Sequence, residues 1–315
     1  MDSRLRGNNI SGCFMQATTE KNNFLDLMAK RFSLQGFIFA ITLTFFLVSI
    51  LFPFYWMVTS SFKTRAEIGG REPVYVPAAL RLEAYSELLD PENESFQNFG
   101  VNILNTIKVA VPTAAIAIVL AVFGSYAIAR LKFKGKNLMV NAILVVYLFP
   151  GILLIIPLFS MLARIGDRIG FDVQDNLGIL VFTYLAQTLP VALYMLTNYF
   201  RTIPDEIEQA ALIDGCSRLE VIWRITLPLA IPALVSVAIY TLMIAWNEFL
   251  YAFVFLNNND LFTMPIKINT IWNDPSPRPH VVMAASTIMT VPIMVLFLSL
   301  EKYLSEGLSA GGVKG

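Results

Sequence analysis

Six stretches of this chain, residues 34–58, 109–129, 137–163, 177–200, 225–247 and 281–300, each run for 20 or more residues without an Asp, Glu, Lys or Arg. Crossing a hydrocarbon core takes about 20 helical residues, and where no water can satisfy the backbone, a helix is the form such a run takes. Composition agrees: 56% of residues are hydrophobic and 15% charged, with a mean hydropathy of +0.62. Soluble chains use about 45–50% apolar and about 25% charged residues. The expected fold class is an all-α integral membrane protein.

The first run starts 33 residues in and is about twice the 7–15 residues of a signal-peptide core. It is therefore expected to remain as a span. Residues 1–33 are polar, with Gly-Asn-Asn and Thr-Thr-Glu-Lys-Asn-Asn clusters and no helical period, which predicts a disordered tail. Cys13 lies in that tail and Cys216 in a later polar loop, settings too different for a structural pair, and neither has metal-ligand spacing. Both are expected as free thiols, with no metal or cofactor site.

Positive charge in short loops is retained on the cytoplasmic side. With the N-terminus inside, the cytoplasmic segments hold fourteen Lys and Arg, the opposite segments eight, and Lys108 stands apart at a span end. The densest block, Arg130 to Lys136, is a short basic turn. It reads as a topology signal touching lipid headgroups rather than as a nucleic-acid patch. Both termini are then expected in the cytoplasm, together with the loop 201–226.

That loop is too long for a plain connection. Thr202-Ile203-Pro204-Asp205 carries helix-start signals, and Glu206 to Asp214 follow as a helix with acids near its positive end. Gly215 sits where a left-handed residue ends a helix, and Ser217-Arg218-Leu219-Glu220 has capping-box spacing. Helix, turn, helix is the reading. On the first helix Ile207, Ala210, Ala211 and Asp214 share a side, and the alanines leave room for another surface. An amphipathic helix resting on lipid is the other reading. Four acids, with no Lys or Arg between Arg201 and Arg218, weigh against an anionic membrane and towards a protein partner.

The string Gln209-Ala210-Ala211, Asp214-Gly215 and, nine residues on, Ile225 with Leu227-Pro228 resembles the Glu-Ala-Ala loop of permease subunits in bacterial ATP-binding-cassette importers. Trp246-Asn247-Glu248-Phe249 and the ending Gly307-Leu308-Ser309-Ala310-Gly311-Gly312-Val313-Lys314-Gly315 resemble the carbohydrate, maltose-type branch, in its smaller permease subunit. The resemblance covers about nine-tenths of the chain. It implies a type I importer permease fold of six transmembrane helices with a cytoplasmic coupling helix. The expected organisation is a tail over 1–33, a six-span domain over 34–304 and a tail over 305–315. Spans are expected at about 34–58, 101–129, 137–163, 177–200, 225–256 and 281–303, with the coupling loop over 201–226.

The implied partners are a second permease subunit, two ATPase subunits and an extracytoplasmic solute-binding protein that delivers a sugar. Coupling to the ATPase falls on Glu208, Gln209, Ala210, Ala211, Asp214 and Gly215. Two residues depart from the pattern: Gln209 stands at the usual glutamate and Cys216 at the usual alanine, so a charge-assisted ATPase contact has to come from Glu208 or be weakened. The tail is implied to reach the ATPase dimer interface. The chain has no Gly-x-x-x-x-Gly-Lys-Ser/Thr loop, so it is not expected to be an enzyme and hydrolysis falls to a partner.

Polar residues within spans tend to face a cavity or bundle interior. Asn141, Gln187, Asn198, Tyr240, Trp246, Asn247 and Glu248 are therefore the candidates for a translocation path. Trp246 offers a flat face to a sugar ring or marks the outer aromatic belt; Glu248 lines the path or lies at the interface. The prolines at 112, 150, 157, 190, 232 and 292 serve as packing kinks or bending points. The acid-rich segment 59–100 and the proline-rich 257–280 either contact the receptor or are solvated connectors. Other readings stand beside this one: a secondary transporter or channel without an ATPase, a non-transporting membrane scaffold for a sensor or ATPase, and, within the resemblance, an importer permease for a solute other than sugar. A secondary transporter predicts internal repeats and several charges deep in the spans; no clear repeat and few such charges are found.

Overall fold

The structure, a computed structural model, describes residues 34–90, 92–93, 96, 98–276 and 278–312, with the backbone alone for 34, 35 and 303–312. The expected tail over 1–33, with Cys13, lies outside these residues. The chain divides into two compact units, one ending at Thr59 and one beginning at Ser60. Helix α1 (Leu34–Ser60), all but its last residue in the first, runs continuously through Pro53.

The second unit begins with two short helices, α2 (Arg65–Gly69) and α3 (Glu83–Leu89), and then the long α4 (Phe99–Arg130). At about 1.5 Å per residue, the 32 residues of α4 reach well past a hydrocarbon core. A basic turn leads to α5 (Lys136–Leu148), a single 3-10 turn at Gly151–Leu154 and α6 (Ile155–Ile169). Then come α7 (Leu177–Phe200), α8 (Asp205–Ile213), α9 (Arg218–Val221), a π-turn at Ile222–Thr226 and α10 (Leu227–Leu229). The chain finishes with α11 (Ile231–Asn247), α12 (Leu250–Phe255), α13 (Met264–Trp272) and α14 (Pro279–Gly312).

Among the described residues, four helices are long and apolar enough to cross a membrane: α1, α4, α7 and α14. Counting each of two bent pairs as one span brings the number to six. The third apolar run folds as α5 and α6 at 92°, and the fifth bends by 81° between Leu229 and Ile231. Each break coincides with proline. Pro150 removes a backbone donor and forces Phe149 out of the helical region (φ −75, ψ 130). Pro228 and Pro232 flank the second bend, with Pro232 in the first turn of α11, where the missing donor costs nothing. Pro112, Pro190 and Pro292 stay inside continuous helices. The fifth span, expected over about 225–256, is interrupted again at Glu248 and Phe249, between α11 and α12. At the far end the backbone remains helical to Gly312, so the glycine-rich stretch continues α14; residues 313–315 lie outside the description.

The core is built on α4. Ala110, Ala114, Ala117 and Ala121 recur on one side and are buried, letting α7 and α11 approach closely. Ser125 Oγ donates to the Leu193 carbonyl of α7 at 2.9 Å. Near Arg130, Tyr126, Phe200, Ile222 and Val237 form one cluster; midway, Tyr184, Trp246, Tyr251 and Phe255 form a second; near Phe99, Leu88, Phe96, Met264 and Val281 form a third. At the Phe99 end, Asn102 and Asn105 amides donate to the carbonyls of Asn259, Asp260 and Phe262, tying the loop 257–263 to α4. Lys267 is buried there and donates to Asn259 Oδ1 at 3.1 Å. Burial pushes its pKa below the usual lysine value, opposed by the Asp260 carboxylate.

Candidate functional site: an exposed helical elbow and a central cavity

The elbow over 201–226 forms mostly as its local signals direct. The start differs. Thr202 does not cap α8: its hydroxyl turns back to the Tyr199 carbonyl at 2.7 Å and closes α7, and the N-cap position is Pro204, without a side-chain bond. The positive end of α8 is met instead by Asp205, Glu206 and Glu208. The helix stops as expected. Gly215 has φ +91, its N–H donates to Leu212, and the Cys216 N–H donates to Ala211, the paired bonds of a Schellman ending. Ser217 and Glu220 then cap each other reciprocally, starting α9.

On α8, Gln209, Ala210 and Ile213, the last 85% exposed, face solvent, as do Asp214 and Gly215 just past its end; Ala211 and the free Cys216 are half-buried. Glu208 is the exception, at 4% exposed. Its Oε1 lies 3.1 Å from Arg130 Nε and accepts from Thr226 Oγ1 at 3.0 Å. Arg130 also donates to the Ile203 carbonyl at 2.8 Å and pairs with Asp205. Of the two outcomes expected for the ATPase contact, one supplied by Glu208 or a weakened one, the geometry bears on the first: Glu208 is turned inward, and Gln209 is the residue presented to solvent.

A second feature lies where the two broken spans face each other. A cavity of about 600 Å³ is bounded by α5, the 149–154 turn, α6, α7, α11 and the start of α12. Three candidates, Gln187, Tyr240 and Glu248, line it together with Tyr147 and Tyr251. Tyr251 donates its hydroxyl to the Gly151 carbonyl at 3.2 Å. Glu248 accepts from the N–H groups of Tyr251 at 2.9 Å and Ala252 at 3.2 Å, so its carboxylate caps α12 at the cavity wall. The rest of the lining is apolar, the usual makeup of a small-molecule site with a few convergent polar groups.

The other four candidates are elsewhere. Trp246 is 7% exposed and its indole donates to the Met289 carbonyl at 3.1 Å, so its ring is spent on packing. Asn247 folds back onto the Met243 carbonyl at 2.8 Å. Asn198 borders a smaller cleft of about 280 Å³ beside Arg201, and Asn141 is exposed on α5 away from the cavity. Tyr147, Tyr251 and the pairing role of Arg130 escaped the sequence reading. Tyr251, three residues past Glu248, had a local cue; Arg130 had none, because its acidic partners lie 75 and 78 residues away.

Residues 121–310 match the family described as "Binding-protein-dependent transport system inner membrane component". This chain belongs to that family. The permease is 39% identical over 87% of its length to the inner membrane ABC transporter permease protein YcjP of Escherichia coli, covering 94% of that protein. It is 32% identical to the sulfoquinovosyl glycerol permease protein SmoH of Agrobacterium fabrum, over 85% of this chain and 90% of the relative. Identity is also 32% to the trehalose/maltose permease protein MalG of Thermococcus litoralis, over 84% and 92%. In backbone shape it is similar to a chain of a bacterial ABC transporter that imports the acidic polysaccharide alginate, with a TM-score of 0.72 at 21% identity, covering 85% of this chain and 96% of the other. The fold is that of an importer permease, a multi-pass inner-membrane protein.

Proposed function

We propose that this permease forms one half of the membrane pathway of an ATP-driven carbohydrate importer, working with a second permease subunit, two ATPase subunits and a solute-binding protein. The observation that carries the proposal is the cavity of about 600 Å³ at the two span breaks, lined by tyrosine hydroxyls, an amide and one carboxylate, in a chain whose relatives are named for sugar transport. Hydroxyl and amide groups around an aromatic-rich wall suit a polyhydroxylated solute. Gln187, Tyr240, Glu248, Tyr147 and Tyr251 are the residues assigned to the path.

Helix α8 is the docking segment, with Gln209, Ala210, Asp214 and Gly215 on its outer face and Ala211 leaving room for close approach. The charge count supports placing it, with both termini and the basic turn at 130–136, in the cytoplasm. Energy enters through the partner ATPase: closure of the nucleotide-bound subunits displaces α8, and each access state is favoured only through its differential contacts.

The test is uptake of labelled sugars into proteoliposomes carrying the assembled transporter and its receptor, across a panel of mono- and oligosaccharides. Tyr240→Phe and Gln187→Ala are expected to raise the KM for the preferred sugar. Uptake independent of ATP, or KM values unmoved by either change, contradicts the proposal.

A further inference from the structure

Helix α8 buries one side chain, and that side chain is charged: among its nine residues Glu208 is the buried one. Apolar packing therefore does little to position this helix. What holds it is a set of polar contacts made by three separate elements. Arg130, the last residue of α4, has its side chain 8% exposed; its Nη2 donates to Ile203 O, its Nη1 pairs with Asp205, and its Nε lies 3.1 Å from Glu208 Oε1, an ion pair without hydrogen-bond alignment. Thr226, fully buried at the end of the π-turn, donates to the same Glu208 oxygen that faces Arg130. The Tyr126 hydroxyl, one turn before Arg130, faces Glu208 and Arg218. A guanidinium fork with fixed acceptors resists both rotation and sliding, which an apolar contact does not. Buried ion pairs are weak evidence for stability but well suited to fixing register. π-turns, too, are frequent at functional positions.

We propose that Glu208 and Arg130 are positioning residues: Glu208 is the inward strut of α8, and the Arg130–Glu208–Thr226 network transmits displacement of α8 to α4 and to the bend at the head of α11. The proposal rests on the reading of α8 as the docking segment. Its two outlets are physical. α4 grips α7 through Ser125 and the alanine face, and the π-turn leads through α10 into α11; α7 carries Gln187 and α11 carries Tyr240 at the cavity. Contiguity alone does not establish coupling, so the test is a double-mutant cycle read in the working transporter.

The assembled complex, reconstituted with its ATPase and receptor, is compared for Arg130→Gln, Glu208→Gln and the pair. The readouts are sugar transported per ATP hydrolysed and the ATPase subunits retained on purification. Expected is a fall in transport per ATP of about fivefold or more for each single change, with the ATPase still bound, and a double variant no worse than either single. Should Arg130→Gln fail to assemble, Arg130→Lys and Thr226→Val carry the same cycle against Glu208→Gln. Three results overturn the proposal: additive effects, transport per ATP unchanged within about twofold, or loss of the ATPase on Glu208→Gln but not on Arg130→Gln, which makes Glu208 a direct contact. Separately, if Ala210→Arg on the outer face leaves ATPase retention intact, the docking reading itself fails and the strut falls with it.

Discussion

Gly215 ends the helix assigned to docking, and its replacement has a computable consequence. Its φ is +91, and a Cβ built there meets no atom within 4 Å. No clash therefore adds to the intrinsic cost of a left-handed conformation, which for an L-residue is about 1–2 kcal/mol. Asparagine tolerates that region better than alanine, and a β-branched residue worse. The strain acts on opening of the elbow, so amide exchange in the assembled or detergent-solubilised protein reads it directly. Gly215→Ala is expected to speed exchange across residues 212–217 by about 5–30-fold, the factor equivalent to one to two kcal/mol, while amides in the middle of α4 keep their wild-type rates. Gly215→Asn should fall between alanine and wild type, and Gly215→Val should exceed alanine. Wild-type exchange in Gly215→Ala, or asparagine as damaging as valine, refutes the argument from backbone conformation.

Two further outcomes follow from close contacts and from burial. At Gly166 an added Cβ lies 2.3 Å from the Phe171 carbonyl oxygen and 2.9 Å from Val173 Cγ2, so Gly166→Ala should cost about 1–3 kcal/mol and lower the melting temperature. Gly124→Ala meets the flexible end of Leu193 at 2.6 Å and should cost less; an equal drop for both would contradict the distinction between backbone and side-chain obstruction. Trp246→Phe removes the bond to Met289 and should lose about 1 kcal/mol of stability with the KM for sugar unchanged, measured by thermal unfolding and uptake. A raised KM would return Trp246 to the translocation path.

What the chain reveals in advance is what is decided within a few residues. The Schellman ending at Gly215 and the Ser217–Glu220 box use bonds spanning three to five positions, and both were readable. Thr202 was not, since a hydroxyl between two helices can serve either one, and it closes α7 through an i−3 bond. Prolines marked the two bends, but the angles of 92° and 81° depend on how the halves pack. The inward turn of Glu208 was out of reach for the same reason as Arg130: a buried charge on a short helix makes sense only beside a partner that tertiary folding brings from another span. Trp246 shows the converse. Its sequence setting fitted a sugar platform or the aromatic belt, and its burial and the bond to the Met289 carbonyl favour a packing role that no local signal carried.

The central claim is that the outer face of α8 meets an ATPase. It is tested most directly by placing a photoreactive side chain at Ile213, 85% exposed on that helix, and irradiating the assembled transporter in its membrane. The account predicts a covalent adduct with the ATPase subunit. Adducts confined to lipid or to another permease subunit, in a complex that still transports, would contradict it.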